Sequence, residues 1–272
     1  PNNSWKISAV TARGFHTPNI DDMLKVFKKG DNITIPNIHL KPEYSLSQEI
    51  AVSKTFDDFL TLYGVGFYTR MTNAIIKDTM LINLNPNPNE PPMWGNMIIY
   101  DDELVYTFAN QNSNSALDIY GLTIGFEGRK NGLEIRGDWN ITNSINHDLN
   151  GGPIAHIPPT FGKLELLQTL QRFKVKISLL YSGYKKANEF DEAGVDNLDE
   201  TPFIGDTINS ENSEWAGLPM WWTLNFFCQY KLRENINLQV AIENIMDMHY
   251  KTFGSGISAP GRNLILSANC VF

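Results

Sequence analysis

The stretch Arg262-Asn263-Leu264-Ile265-Leu266-Ser267-Ala268-Asn269-Cys270-Val271-Phe272 decides the fold. Read backwards from Phe272, every second residue is small or apolar: Cys270, Ala268, Leu266 and Leu264. The positions between them are polar or mixed, with Asn269, Ser267 and Asn263. Successive side chains of a strand point to opposite faces. The segment is therefore a strand with one apolar and one wet face, ending on an aromatic residue.

The same period recurs up the chain and predicts about ten strands. They are Trp5–Arg13, Ser45–Ser53, Leu60–Asn73, Leu104–Arg129, Leu133–Thr142, Phe161–Leu170, Phe173–Ser182, Met220–Leu232, Ile236–Glu243 and Arg262–Phe272. Leu133, Ile135, Trp139 and Ile141 oppose Glu134, Arg136, Asp138 and Asn140; Phe173, Val175 and Ile177 oppose Lys174 and Lys176. Trp222 and Phe226 belong with the apolar set. The alternating charges are placed on a wet face, where they pair across strands.

Composition narrows the class. The 272 residues carry 22 Lys+Arg against 30 Asp+Glu, a net charge of −8, which argues against nucleic acid as a partner. No run approaches the ~18 apolar residues of a transmembrane helix, but a barrel strand crosses with only ~9–11 tilted residues. Two cysteines, Cys228 and Cys270, make no disulfide framework. Both fall on apolar faces of strands with a third strand between them, ~9–10 Å apart and out of bonding range.

Connections alternate in length. Asp57-Asp58, Asn131-Gly132, Gln171-Arg172 and Leu232–Ile236 are tight, and Asn-Gly is a strong hairpin signal. Arg13–Tyr44, Ile75–Glu103, Ile145–Thr160 and Ala187–Pro219 are long. Short turns on one rim and long loops on the other are the layout of an outer-membrane β-barrel. The carboxyl terminus lies with the short turns, so every long connection falls outside the cell. Asp21–Lys29 is the one segment expected to form a short helix.

Three stretches resemble the C-terminal half of the barrel of a TonB-dependent outer-membrane receptor. The first runs Arg13-Gly14-Phe15-His16-Thr17-Pro18-Asn19-Ile20-Asp21-Asp22, with Arg13, Phe15 and Pro18 at family positions. The second is Pro36-Asn37-Ile38-His39-Leu40-Lys41-Pro42-Glu43, with Leu40, Pro42 and Glu43. The third is Glu243-Asn244-Ile245-Met246-Asp247, then Tyr250, Gly261, Arg262 and the terminal Phe272. Phe253–Arg262 resembles receptors of Bacteroidetes-type bacteria. His16-Thr17 in place of Arg-Ala, His39 in place of Asp or Asn, and Cys270 in place of Tyr depart from the pattern.

The resemblance implies an all-β antiparallel transmembrane barrel, with residues 1–272 forming its C-terminal part. Such barrels have roughly 22 strands closed by an N-terminal plug, so about twelve strands, the plug and the coupling box would lie upstream. The opening at Pro1, without a basic n-region or apolar h-region, fits a fragment or a processed product. The implied function is energy-coupled uptake of a scarce nutrient such as a siderophore-type metal chelate. The other class to weigh is a non-transporting surface barrel, an adhesin or assembly partner. Implied partners are the remaining strands and plug, a TonB-type inner-membrane complex, outer-membrane lipid, and a surface lipoprotein or other outer-membrane protein.

No enzyme, cofactor or metal centre is expected. His16, His39, His147, His156 and His249 show no metal-ligand spacing. A ten-stranded outer-membrane protease would need Asp and His pairs on adjacent strand tops, where His147, Asp148 and His156 are the nearest approximation. His16 and His39 suggest haem ligation but read better as solvated loop histidines. Asn140, Thr142, Ser182, Trp221 and Asn225 fall on the wet face near the outer strand ends, where a ligand would be met. The Asn188–Leu218 connection holds nine carboxylates and no Lys or Arg. It is expected to be an acidic, mobile surface loop, with capture of a cation as its functional alternative.

Overall fold

The period-2 pattern builds one antiparallel sheet of ten strands in a computed structural model that describes residues 4–85, 87–148, 152–191, 193–204 and 214–271. The strands are β1 (Trp5–His16), β2 (Glu43–Phe56), β3 (Leu60–Thr72), β4 (Leu117–Lys130), β5 (Leu133–Asn146), β6 (Phe161–Leu170), β7 (Phe173–Ser182), β8 (Trp221–Arg233), β9 (Ile236–Glu243) and β10 (Asn263–Cys270). Each pairs with the next in sequence, and β1 and β10 are the two edges. The sheet is thus an open wall and not a closed ten-stranded barrel, which removes the architecture of the protease reading. Phe272 lies outside the described residues.

Turn chemistry fixes the register. Asp57 and Asp58 sit at φ 45° and 56°, and Asn131 and Gly132 at 51° and 78°. Both two-residue turns therefore have the doubly left-handed backbone of type I′, which Asn, Asp and Gly tolerate best. The resulting rungs sort the side chains cleanly. Ile135, Leu166, Ile177, Phe226, Ile242 and Leu264 form one continuous rung across six strands. Glu127, Arg136, Glu165, Ser178 and Asn225 form a rung on the opposite face. The lipid and lumen assignments of Leu133, Ile135, Trp139, Phe173, Val175, Ile177, Trp222 and Phe226 against Glu134, Arg136, Asp138, Lys174 and Lys176 agree with this register.

The polar face is held by ion pairs between neighbouring strands. Glu165 meets Arg136 and also Lys176, the latter at 3.6 Å; Asp138 meets Lys163 at 3.8 Å, and Glu134 meets Arg129 at 3.1 Å. On the same face the rings of Phe67 and Tyr63 lie over Gly121 and Gly125, their direct cross-strand partners. A β-carbon at either glycine would collide with the ring. Cys228 and Cys270 are free thiols, paired across β9 with Val240 and Ile236.

The packed core is not in the wall but at its outer rim. Ile33, Val105, Thr107, Leu117 and Thr223 are the largest fully buried side chains. Ile33, Val105 and Thr107 belong to a second sheet made from two of the long connections: Phe27–Lys29, Asn32–Thr34, Glu103–Asn112 and Ile75–Thr79, with Met97–Tyr100 beside Glu103–Tyr106. Asn32–Thr34 runs parallel to Tyr106–Phe108.

Two expectations are corrected here. Leu104–Arg129 is not one strand. It breaks at 113–116, where Ser113 donates its backbone N–H to Ala74 O and its hydroxyl to the Ser115 carbonyl. Its first half pairs with loop strands and its second with β3 and β5. Asp21–Lys29 is not one helix. A five-residue helix, α1 (Ile20–Leu24), is closed at its start by a reciprocal cap between Asn19 and Asp22. Phe27–Lys29 instead turns at Gly30, φ 54°, to pair with Asn32–Thr34.

Candidate functional site

The register brings three of the five luminal candidates onto one rung. Asn140 of β5 faces Phe161 of β6, which faces Ser182 of β7, which faces Trp221 of β8. Thr142 stands two residues further up β5, and Asn225 four residues further down β8. All lie on the polar face near the rim with the long loops.

Their local engagements differ. Asn140 accepts the Thr123 hydroxyl at 2.7 Å and donates to Asp138 at 2.9 Å. Ser182 is buried. Trp221 packs against Tyr250 with ring centroids 4.3 Å apart and the planes tilted by 37°. Asn225 Oδ1 accepts the backbone N–H of Asn244 at 2.8 Å. Trp221 and Asn225 therefore hold the β9–β10 connection. Phe161, exposed on the same rung, is the candidate that sequence reasoning missed; it stands first in an ambiguous strand whose facing only pairing settles.

The third family stretch explains that connection. Asn244 is buried at φ 48°; its side-chain N–H donates to the carbonyls of Met248 at 2.8 Å and Pro260 at 3.3 Å, and its Oδ1 accepts Met248 N–H at 2.9 Å. Asp247 Oδ1 accepts the backbone N–H of Arg262 at 2.7 Å, and Arg262 Nε donates to Ile245 O at 2.9 Å. Gly261 is required because a β-carbon there would lie 2.8 Å from Asp247 Oδ1. Glu243 accepts Asn263.

The first two stretches form a second clamp. Arg13 lies over the ring of Tyr44, and Phe15 faces Tyr44 across β1 and β2. His16 stands 3.5 Å from Asp22 and 3.3 Å from Glu43, and Glu43 also accepts Ile75 N–H at 2.9 Å. Pro18, Leu40 and Pro42 lie in the adjoining loop segments and are half-buried. His39 is exposed, its backbone N–H donated to Asn37 Oδ1. Asn110 and Asn112, which no sequence motif marks, tie the clamp to the second sheet: Asn110 donates to Asp22 O, and Asn112 to Lys41 O and Asn73 O.

The acidic connection is built in, not loose, over its described part. Asp191 accepts Val195 N–H at 2.8 Å and Asp196 N–H at 2.9 Å. Asp199 meets Lys29 at 3.1 Å, and Glu200 meets Lys251 at 2.6 Å. Glu192, Asp206 and Glu211 lie outside the described residues. The counter-charges in these two pairs, Lys29 and Lys251, come from other connections, since residues 188–218 hold no Lys or Arg.

Beneath it, Lys185 is buried with its ammonium over Phe253 at 4.5 Å and Phe190 at 5.1 Å, donating to Ile157 O. Burial pushes this ammonium below its ordinary pKa, against the pull of nearby Asp196 and Glu189. Asp196 is buried too, and burial raises its carboxyl although it accepts His156 N–H at 3.0 Å. His147 lies 2.7 Å from Asp118, whose two oxygens are already taken by Arg70 at 2.8 Å each. That pair is a structural clasp. Among the described residues, no group of three or more His, Cys, Asp or Glu is arranged to hold a metal ion.

Residues 1–245 match the model of the TonB-dependent receptor-like β-barrel. The chain belongs to the TonB-dependent receptor family. Its strands are those of an outer-membrane barrel, its apolar face is the lipid face, and its polar face is the lumen. Over its full length it superposes on the siderophore receptor PirA from Acinetobacter baumannii with a TM-score of 0.68 at 14% identity, covering 39% of that chain. The copper transporter OprC gives 0.67 at 11%, covering 100% of this chain and 38% of that one. The ferric enterobactin receptor of Pseudomonas aeruginosa, in a mutant complex with enterobactin, gives 0.67 at 13%, covering 98% and 38%. A stretch of 59 residues, 22% of this chain, is 36% identical to hemoglobin-binding protein A of Haemophilus influenzae and covers 6% of it. The chain thus spans well under half of the proteins it matches. The family and these neighbours are receptors and transporters.

Proposed function

We propose that this chain is the C-terminal part of a receptor that imports a scarce nutrient, of the siderophore-chelate kind, by energy coupled from a TonB-type inner-membrane complex. The remaining strands and a plug would complete the barrel. The observation that carries the reading is the luminal rung Asn140–Phe161–Ser182, hydrogen-bonding groups beside an exposed aromatic, under the long loops of a family barrel. A planar, polar chelate would stack on Phe161 and bond to Asn140 and Thr142. Trp221 and Asn225 would act one step back, by holding the β9–β10 connection over that rung. His16 and His39 would contribute only at the loop surface. The Phe253–Arg262 style supports a Bacteroidetes-type source.

The test uses the full-length receptor. Ferric catecholate and hydroxamate chelates are titrated against wild type, Asn140→Ala and Phe161→Ala, with uptake measured with and without TonB. TonB-dependent uptake, and at least tenfold weaker binding in either variant, supports the proposal. TonB-independent growth, or unchanged binding in both variants for every chelate bound by wild type, would overturn it in favour of an adhesin or assembly role.

A further inference from the structure

The lipid face of this wall is not an even apolar band. It holds a groove of about 720 Å³ on the short-turn half of β1 to β7. That lies within the ~300–1,000 Å³ typical of pockets that take small apolar ligands. Its floor follows from where glycine falls in the register. One rung reads Val52, Gly64, Ile124, Trp139, Gly162, Tyr181, and the next one down reads Lys54, Leu62, Phe126, Gly137, Leu164, Leu179. A barrel wall is already concave along its axis on the outside, because twisted strands give it a hyperboloid waist. Glycines at the waist deepen that concavity.

The glycines are used in two ways. Gly137 is covered by the ring of Phe126, and Trp139 and Tyr181 stack 5.1 Å apart on either side of Gly162, so both sites are filled. Gly64 is different: a β-carbon there would have only the Thr123 carbonyl at 4.0 Å for company. Space over Gly64 is therefore open, and its wall is apolar. Water does not fill an apolar trough in the hydrocarbon layer, so its occupant is a hydrocarbon chain.

The end of the groove nearest the short turns carries a cation, Lys54. Lys54 reaches back between two rings, its ammonium 5.0 Å from the Trp5 centroid and 4.6 Å from that of Phe56. An aromatic pair with a lysine between them at the periplasmic rim is an interfacial arrangement, with the charge at headgroup level. Neither ring supplies a negative charge, so the ammonium is free to face an anion. We infer that the groove seats one phospholipid of the inner leaflet, an acyl chain lying over Gly64 and its phosphate meeting Lys54. This goes beyond nutrient uptake and needs only that the chain is an outer-membrane wall.

The test is native mass spectrometry of the full-length receptor, released from detergent after equilibration with phosphatidylglycerol. Gly64→Leu fills the trough, Lys54→Gln removes the charge, and Ala268→Leu adds bulk to the same face on β10. Heat-modifiable gel migration shows that each variant is folded. Wild type and Ala268→Leu are expected to retain one phosphatidylglycerol, with retention at least tenfold lower in Gly64→Leu and in Lys54→Gln. Four results would each overturn the inference: no retained lipid in wild type, unchanged retention in folded Gly64→Leu, equal loss in Ala268→Leu, or lipopolysaccharide displacing phosphatidylglycerol from wild type but not from Gly64→Leu.

Discussion

The wall and the outer rim use the same ionic chemistry at very different sequence ranges. In the wall, Arg136 meets Glu165 and Lys163 meets Asp138, partners on adjacent strands set opposite by one turn or loop. At the rim, Lys29 meets Asp199 and Lys251 meets Glu200, partners from separate connections. The wall repeats one rule, alternation, and each strand needs only its neighbour. The rim has no repeat, and its stability rests on particular side chains closing particular loops. Damage should therefore spread differently in the two regions.

The largest effect should come from breaking the wall's facing rule. Ile177→Arg places a guanidinium in lipid and should cost ~2–4 kcal/mol near the bilayer midplane. Gln229→Arg, on the luminal face of the adjoining strand, escapes that penalty. Urea unfolding of the full receptor in vesicles measures both. Equal costs would mean that the facing is reversed or undefined.

The rim is broken most directly at Asn244. Asn244→Ala removes, at a buried left-handed residue, the side-chain partner of the Met248 and Pro260 carbonyls and of the Met248 N–H, a cost of ~1–3 kcal/mol. The loss should be local: faster hydrogen exchange over 244–262, with β5 to β7 unchanged. Slower folding of the whole wall would show that the two regions are one unit.

A pH series sharpens the comparison, because the rim buries charges that the wall leaves at pairing distance. Lys185 has its pKa lowered by burial, so between that lowered value and its ordinary 10.5 the unfolded loops bind more protons than the folded ones. Loop protection should therefore rise as pH climbs through that window, and Lys185→Met should flatten the slope. Asp196 runs the other way. Its pKa is raised, so folded loops bind more protons between the ordinary 3.8 and the raised value, and protection should fall as pH rises there. Asp196→Asn should remove that fall. Hydrogen exchange over 185–201, corrected for intrinsic rates, reads both signs.

The smallest effect belongs to a single surface pair. Lys251→Met removes the contact with Glu200 and should cost at most ~1 kcal/mol, less in high salt. The loss should appear only in exchange at 198–201 and 250–255. A larger or salt-insensitive loss would show that the pair carries more of the rim than its exposure implies.

Sequence by itself determined what depends on neighbours along the chain. Period 2 gave the strands and their faces, Asn131-Gly132 and Asp57-Asp58 gave the registers, and the motif stretches gave the family, because each of these is a local property of backbone geometry. Even the cysteines could be separated by counting strands. Tertiary structure decided the rest. The same alternation in Leu104–Asn112 serves a loop sheet, since alternation names a strand without naming its partner. Phe27–Lys29 became a strand because Asn32–Thr34, itself paired with Tyr106–Phe108, was there to receive it. Asn110, Asn112 and Lys185 look ordinary in sequence, and their roles exist only where distant carbonyls and rings converge on them. The acidic connection shows the limit most clearly: residues 188–218 contain no Lys or Arg, so the ion pairs to Lys29 and Lys251 exist only once separate loops fold together.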